Sequence, residues 1–132
     1  MQNILLVGQD SRLLSTRAAV LKKTGANVIC CSASEALKLL ESVPLDLIAL
    51  CHSLRGEEAE IIAEMAHRCP QGPRVLLMIL VVAKERPSRD ANYDATSLPD
   101  PASLIARATE LLQGFPRDPL RVIVSQPGIV SN

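Results

Sequence analysis

The residues of this chain best suited to chemistry are its four cysteines and the polar groups beside them. Cys51 closes the run Asp46-Leu47-Ile48-Ala49-Leu50-Cys51-His52-Ser53-Leu54, whose apolar core reads as a buried strand. The C-terminal end of such a strand is where open α/β sheets place ligands. A thiol there acts as a nucleophile only when a cation or a helix N-terminus lowers its pKa. His52 is next in sequence, but alternation along a strand turns neighbours to opposite faces, so adjacency alone does not make it a helper. Cysteine is also among the most often buried residue types, and an inert, partly buried Cys51 is the favoured reading. Cys30-Cys31 suggests a vicinal disulfide or a metal clamp, yet adjacent strand residues point apart, which favours packing. No Cys-x-x-Cys or His-x-x-His pair is present, and the spacing to Cys51 and Cys69 fits no zinc pattern. No metal and no cofactor are therefore expected.

The carboxylates are similarly plain. Asp10 follows Gly8-Gln9 after the first apolar run, where it serves as a helix cap or as a single metal ligand; capping alone explains it. Glu57, Glu58, Glu60 and Glu64 read as the solvated face of a helix, with the first two favourable near its N-terminus. Gly8 opens no Gly-x-Gly-x-x-Gly pattern, so a nucleotide site has little support.

These groups need a frame, and the hydrophobic pattern supplies one. Residues 4–7 form an apolar strand that stops at Gly8. Asp10 then caps a helix over 11–24, with Leu14, Ala18 and Leu21 on one stripe and Gly25 where a helix stops. Residues 27–31 read as a second strand. Ser32 and Glu35 have the spacing of a capping box, opening a helix that ends before Pro44. A third strand covers 45–51. Ile62, Met65, Ala66 and Cys69 at i, i+3, i+4 and i+7 mark a third helix. Residues 75–82 form a continuous apolar strand, as expected at the centre of a sheet covered on both faces. Over 83–100 the pattern fails, so the fourth helix should be short or absent and the segment mobile, with a short strand near 94–98. Asp100-Pro101 opens a final helix with Leu104, Ala108 and Leu111 on its stripe. Strand and helix alternate, and the spacers are too long for hairpins. The fold class that follows is α/β, a flavodoxin-like, doubly wound, five-stranded parallel sheet. One folded unit spans 1–113, and 114–132 is a proline-containing C-terminal tail whose apolar 120–124 segment lies outside the alternation.

Composition narrows the function classes. A chain of 132 residues fits one domain, and with 2% aromatic residues its core must be aliphatic. Formal net charge is zero, which gives no electrostatic case for nucleic acid or an anionic membrane as partner. The longest apolar run is too short to span a bilayer, and no basic leader precedes the first strand. A cytoplasmic location with reduced thiols is expected.

At this point the order of pieces resembles a response-regulator receiver domain of the CheY-like kind, over roughly residues 3–113. Ile4-Leu5-Leu6-Val7 is similar to its opening strand, Glu35-Ala36-Leu37 to its second helix, Pro44-Leu45-Asp46-Leu47-Ile48 to the approach to its phosphoacceptor, and Asp100-Pro101-Ala102-Ser103-Leu104 to the start of its last helix. The resemblance implies a phosphorylation pocket, and the chain departs from it at each position. The acceptor position holds Cys51. The acidic pair that binds Mg²⁺ falls on Gly8 and Gln9, with only Asp10 beyond. The hydroxyl residue ending the fourth strand falls within 78–81, where neither Ser nor Thr occurs. The lysine ending the fifth strand falls on Ser97. Phosphoryl transfer needs a carboxylate nucleophile, oxygen ligands for a hard cation and a positive charge for the product. The expectation is a degenerate receiver, a pseudo-receiver with no catalytic site of its own, acting through protein partners in bacterial two-component-type signalling. The resemblance puts the partner face, and a homodimer face through the last helix, at about 84–113. The alternatives are a thiol-based sensor using Cys51, a small domain binding a metabolite at the strand ends, and a genuine response regulator with an atypical switch.

Overall fold

The computed structural model describes residues 2–70, 72–79 and 93–113. Five parallel strands form one sheet: β1 (Asn3–Val7), β2 (Asn27–Cys31), β3 (Leu47–Leu50), β4 (Arg74–Met78) and β5 (Ala95–Ser97), in the order β2-β1-β3-β4-β5. Four helices are described: α1 (Ser11–Leu21), continued by a 3₁₀ turn over Lys22–Thr24, α2 (Ala33–Ser42), α3 (Gly56–Arg68) and α4 (Pro101–Leu112). This is the expected doubly wound sheet. The segment between β4 and β5 where a short or absent helix was expected, at 80–92, the last residues expected of the fourth strand and the tail from 114 lie outside the described residues.

Local sequence starts and stops these elements as the capping rules require. Asp10 Oδ1 accepts the Arg12 and Leu13 amides at 2.9 and 3.4 Å. Ser32 and Glu35 form the reciprocal capping box, and Asp100 accepts the Ser103 amide with Pro101 in the first turn. After the 3₁₀ turn the chain reverses through Gly25 at φ +91°, a conformation that side chains with a Cβ resist.

Strand alternation then builds two cores. Leu5, Val7, Ile48, Leu50 and Val75 face α2 and α3, meeting Ala36, Leu40, Ala59, Ile62, Ala63 and Ala66. Ile4, Leu6, Leu47, Ala49, Cys51, Leu76 and Met78 face α1 and α4, meeting Ala18, Leu21, Leu104, Ala108 and Leu111. Both faces of the central strands are covered, which is why they read as unbroken apolar runs. Each fully buried aliphatic side chain contributes about 1.5–3 kcal/mol. The short β5 is held to β4 through Asp94, whose carboxylate accepts the Val75 amide at 2.7 Å and whose own amide donates to the Val75 carbonyl.

Candidate functional site

The C-terminal ends of β1 and β3 bring Gly8, Gln9 and Asp10 beside Cys51, His52 and Ser53. Register fixes this: Val7 lies opposite Leu50, and the Cys51 amide donates to the Val7 carbonyl at 2.9 Å. Cys51 therefore continues β3 on the α1/α4 face and is 1% exposed. Gly8 packs directly on it. A Cβ at Gly8 would meet Cys51 Sγ and Leu14 Cδ2 at 3.1 Å each. With no side chain at 8, the cysteine fills the space.

The candidate residues expected from the sequence separate in this geometry into engaged and unengaged groups. The Asp10 carboxylate is committed to the α1 cap. The Gln9 amide donates to Ser53 Oγ at 3.3 Å, and its side-chain Nε2 donates to Glu58 Oε1 at 2.9 Å; Glu58 also accepts the Arg55 amide. These bonds tie the β1–α1 loop to the β3–α3 loop directly. Ser97 ends β5 buried and donates its hydroxyl to the Leu98 carbonyl at 2.7 Å, so it is occupied locally. Opposite Ser97 in register is Met78, and Ile79 follows it, so the described end of β4 carries no hydroxyl. Among the described residues no group of three or more His, Cys, Asp and Glu side chains is placed to hold a metal ion.

One participant was missed from sequence: Arg17. It sits on α1 between Leu14 and Leu21, in the middle of the apolar stripe, and is 7% exposed. Its Nη2 lies 3.1 Å from His52 Nε2. A guanidinium has only donors, so Nε2 must accept; His52 is then neutral with its proton on Nδ1. Arg17 also acts by its charge on the Cys51 thiol and pulls that group's titration down. Its Nη1 is buried with no hydrogen-bond partner among the described residues. A charged residue three positions after the partly buried Leu14 and four before the buried Leu21 was the sequence signal that could have found it. His52 reaches it because β3 ends at Leu50 and the chain turns, so strand alternation no longer governs where His52 goes.

Electrostatics at this cluster pull in two directions. Burial pushes the Cys51 thiol up; the hydrogen bond and charge of Arg17 pull it back, and Cys30 adds to the rise, leaving it raised. Burial, then the Arg17 charge, pushes the His52 imidazole down. Away from the cluster, burial with help from Glu35 and Cys30 pushes Cys31 up to about 12, and burial raises Cys30 against the pull of Lys22. All four cysteines are free thiols. Chemically, then, the site offers a shielded neutral thiol, a neutral imidazole and a buried guanidinium.

No family model matches the chain, and none of the curated proteins does. Solved structures do. A CheY-like response-regulator receiver domain from Methanospirillum hungatei is 24% identical, with a TM-score of 0.71, over 86% of this chain and 94% of that one. One from Methylobacillus flagellatus is 15% identical, TM-score 0.72, over 84% and 98%. A chain from the complex of histidine kinase ThkA with response regulator TrrA is 18% identical, TM-score 0.72, over 85% and 99%. At these identities the likeness is one of fold: the flavodoxin-like sheet of the CheY-like domains. No described helix is long and apolar enough to cross a membrane.

Proposed function

We propose that this chain is a receiver-like protein-interaction module in bacterial two-component-type signalling that cannot be phosphorylated at its pocket. The fold likeness supports the receiver reading, and one observation carries the loss of phosphorylation. The position that would hold the acceptor carboxylate is Cys51, buried against an arginine, while the positions that would hold the metal-binding acids are Gly8 and Gln9. A hard divalent cation needs oxygen ligands in number. The nearby carboxylates of Asp10 and Glu58 are engaged in a helix cap and a loop tie. In this reading Ser97 replaces the lysine, the pocket needs no metal or cofactor, and the protein is not an enzyme. Its partners are proteins, as with the regulator solved beside its kinase, and they meet the α4 side, which also serves a homodimer. Neither nucleic acid nor membrane takes part, and the protein works in the cytoplasm. Burial and the raised thiol count against the alternative of a Cys51-based sensor.

The test is addition of Mg²⁺ with beryllium fluoride, a mimic of the phosphoryl group, to the full chain. No change in melting temperature or in amide spectra is expected. A saturable stabilisation would overturn the reading.

A further inference from the structure

Among the described residues no acid side chain bonds the Arg17–His52 pair. Arg17 comes from α1 and His52 from the turn after β3, 35 positions away. A buried cation is normally matched by a carboxylate, because an uncompensated charge out of water is costly. Here the guanidinium meets an imidazole, its charge acts on the Cys51 thiol, and its Nη1 has no partner among the described residues. The arrangement holds only while His52 Nε2 carries a lone pair.

We propose that Arg17 and His52 form a proton-sensitive bolt that holds the turn after β3 closed over Cys51, so that the pocket responds to protons. With His52 neutral, Arg17 donates to it and the turn is pinned to α1. With His52 protonated, the acceptor is lost and two cations stand about 3 Å apart in a partly dry site, so the turn swings away. Other charges near the turn do not cancel this repulsion. Asp10, from the β1–α1 loop, is held by the α1 cap. Glu58, on α3, is held by Gln9 and the Arg55 amide, and the Arg55 side chain pairs with Glu57. Among the described residues Arg17 alone acts on His52 by charge. Cys51 is 1% exposed and immediately precedes the turn, whose Leu54 amide donates back to the Cys51 carbonyl, so opening the turn is what would expose the thiol. The lowered His52 titration supports the same direction: the closed form binds fewer protons and is favoured above the ordinary histidine value of 6.5, losing ground as pH falls below it.

The experiment is site-resolved thiol labelling of the full chain between about pH 7.5 and about pH 5, the window in which histidine changes charge. The probe is 4,4′-dithiodipyridine, which stays reactive toward thiols in acid, and Cys51 labelling is measured against exposed Cys30 by peptide mass mapping. The Cys51-to-Cys30 ratio is expected to rise about tenfold as pH falls, following the open population. His52→Gln, which offers an acceptor that does not titrate, should give a flat ratio, and so should Arg17→Met. A flat wild-type ratio, or a rise that survives in His52→Gln, would overturn the bolt. Should Arg17→Met fail to fold, His52→Gln decides alone. A failed bolt leaves the proposed function standing, since that reading falls only to a beryllium fluoride response.

Discussion

Cys51→Asp places a carboxylate at the position that the proposed receiver reading gives to the acceptor, and the structure predicts that it will be captured by Arg17. The new carboxylate would lie within the field of a buried guanidinium whose charge already acts on the group at that position. Two unit charges about 4 Å apart attract by about 4 kcal/mol at an effective dielectric near 20. Burying a carboxylate costs several kcal/mol. The terms nearly cancel, so Cys51→Asp should unfold within about 2 kcal/mol of the wild type. In an Arg17→Met background the attraction is gone and the desolvation remains. There the same substitution should cost about 3–5 kcal/mol. Urea denaturation of the four proteins closes a double-mutant cycle, with an expected coupling of about 2–4 kcal/mol. Incubation with a small-molecule acyl phosphate and Mg²⁺, read by intact mass, should show no phosphoryl adduct on Cys51→Asp. The carboxylate would be ion-paired, and no acids stand at 8 and 9 to bring the metal. A coupling below about 0.5 kcal/mol, or a phosphoryl group on the new carboxylate, would refute the reasoning.

Arg17→Met removes a buried charge that has no acid partner among the described residues while keeping an aliphatic stem of similar length; it releases the turn yet should leave global stability within about 1 kcal/mol of the wild type in urea denaturation. Gly8→Ala pushes a methyl into Cys51 Sγ and Leu14 Cδ2 and should cost about 1–3 kcal/mol, with a smaller cost when Cys51→Gly clears the sulfur. At about neutral pH, alkylation followed by peptide mapping should label Cys30 first and Cys31 and Cys51 last, because the latter two are buried and their thiols are pushed up; early labelling of Cys51 would revive the thiol-sensor alternative.

Much of the frame was legible in the sequence because it is written in local chemistry. Ser32 and Glu35 cap α2 by a reciprocal pair three residues apart, and Asp100-Pro101 opens α4, each needing nothing beyond its own turn. The unbroken apolar run over 75–82 announced a strand covered on both sides, and alternation places Val75 and Leu76 of β4 in different cores. Strand ends were less legible. The third strand was expected over 45–51 and is Leu47–Leu50, because pairing with β1 and β4 sets the ladder's limits.

The sequence by itself determined that Cys51, Gly8 and Gln9 carry no carboxylate, so that wherever they lie they can neither form an acyl phosphate nor supply acidic metal ligands. Only the tertiary structure decided what occupies the pocket. Parallel pairing of β1 with β3 sets Gly8 against Cys51, and the packing of α1 on that face brings Arg17 to both Cys51 and His52. No local pattern encodes that meeting. Arg17 belongs to one helix, His52 to a distant turn, and their contact exists because two covered sheet faces leave a side chain on the inner stripe of α1 nowhere else to go.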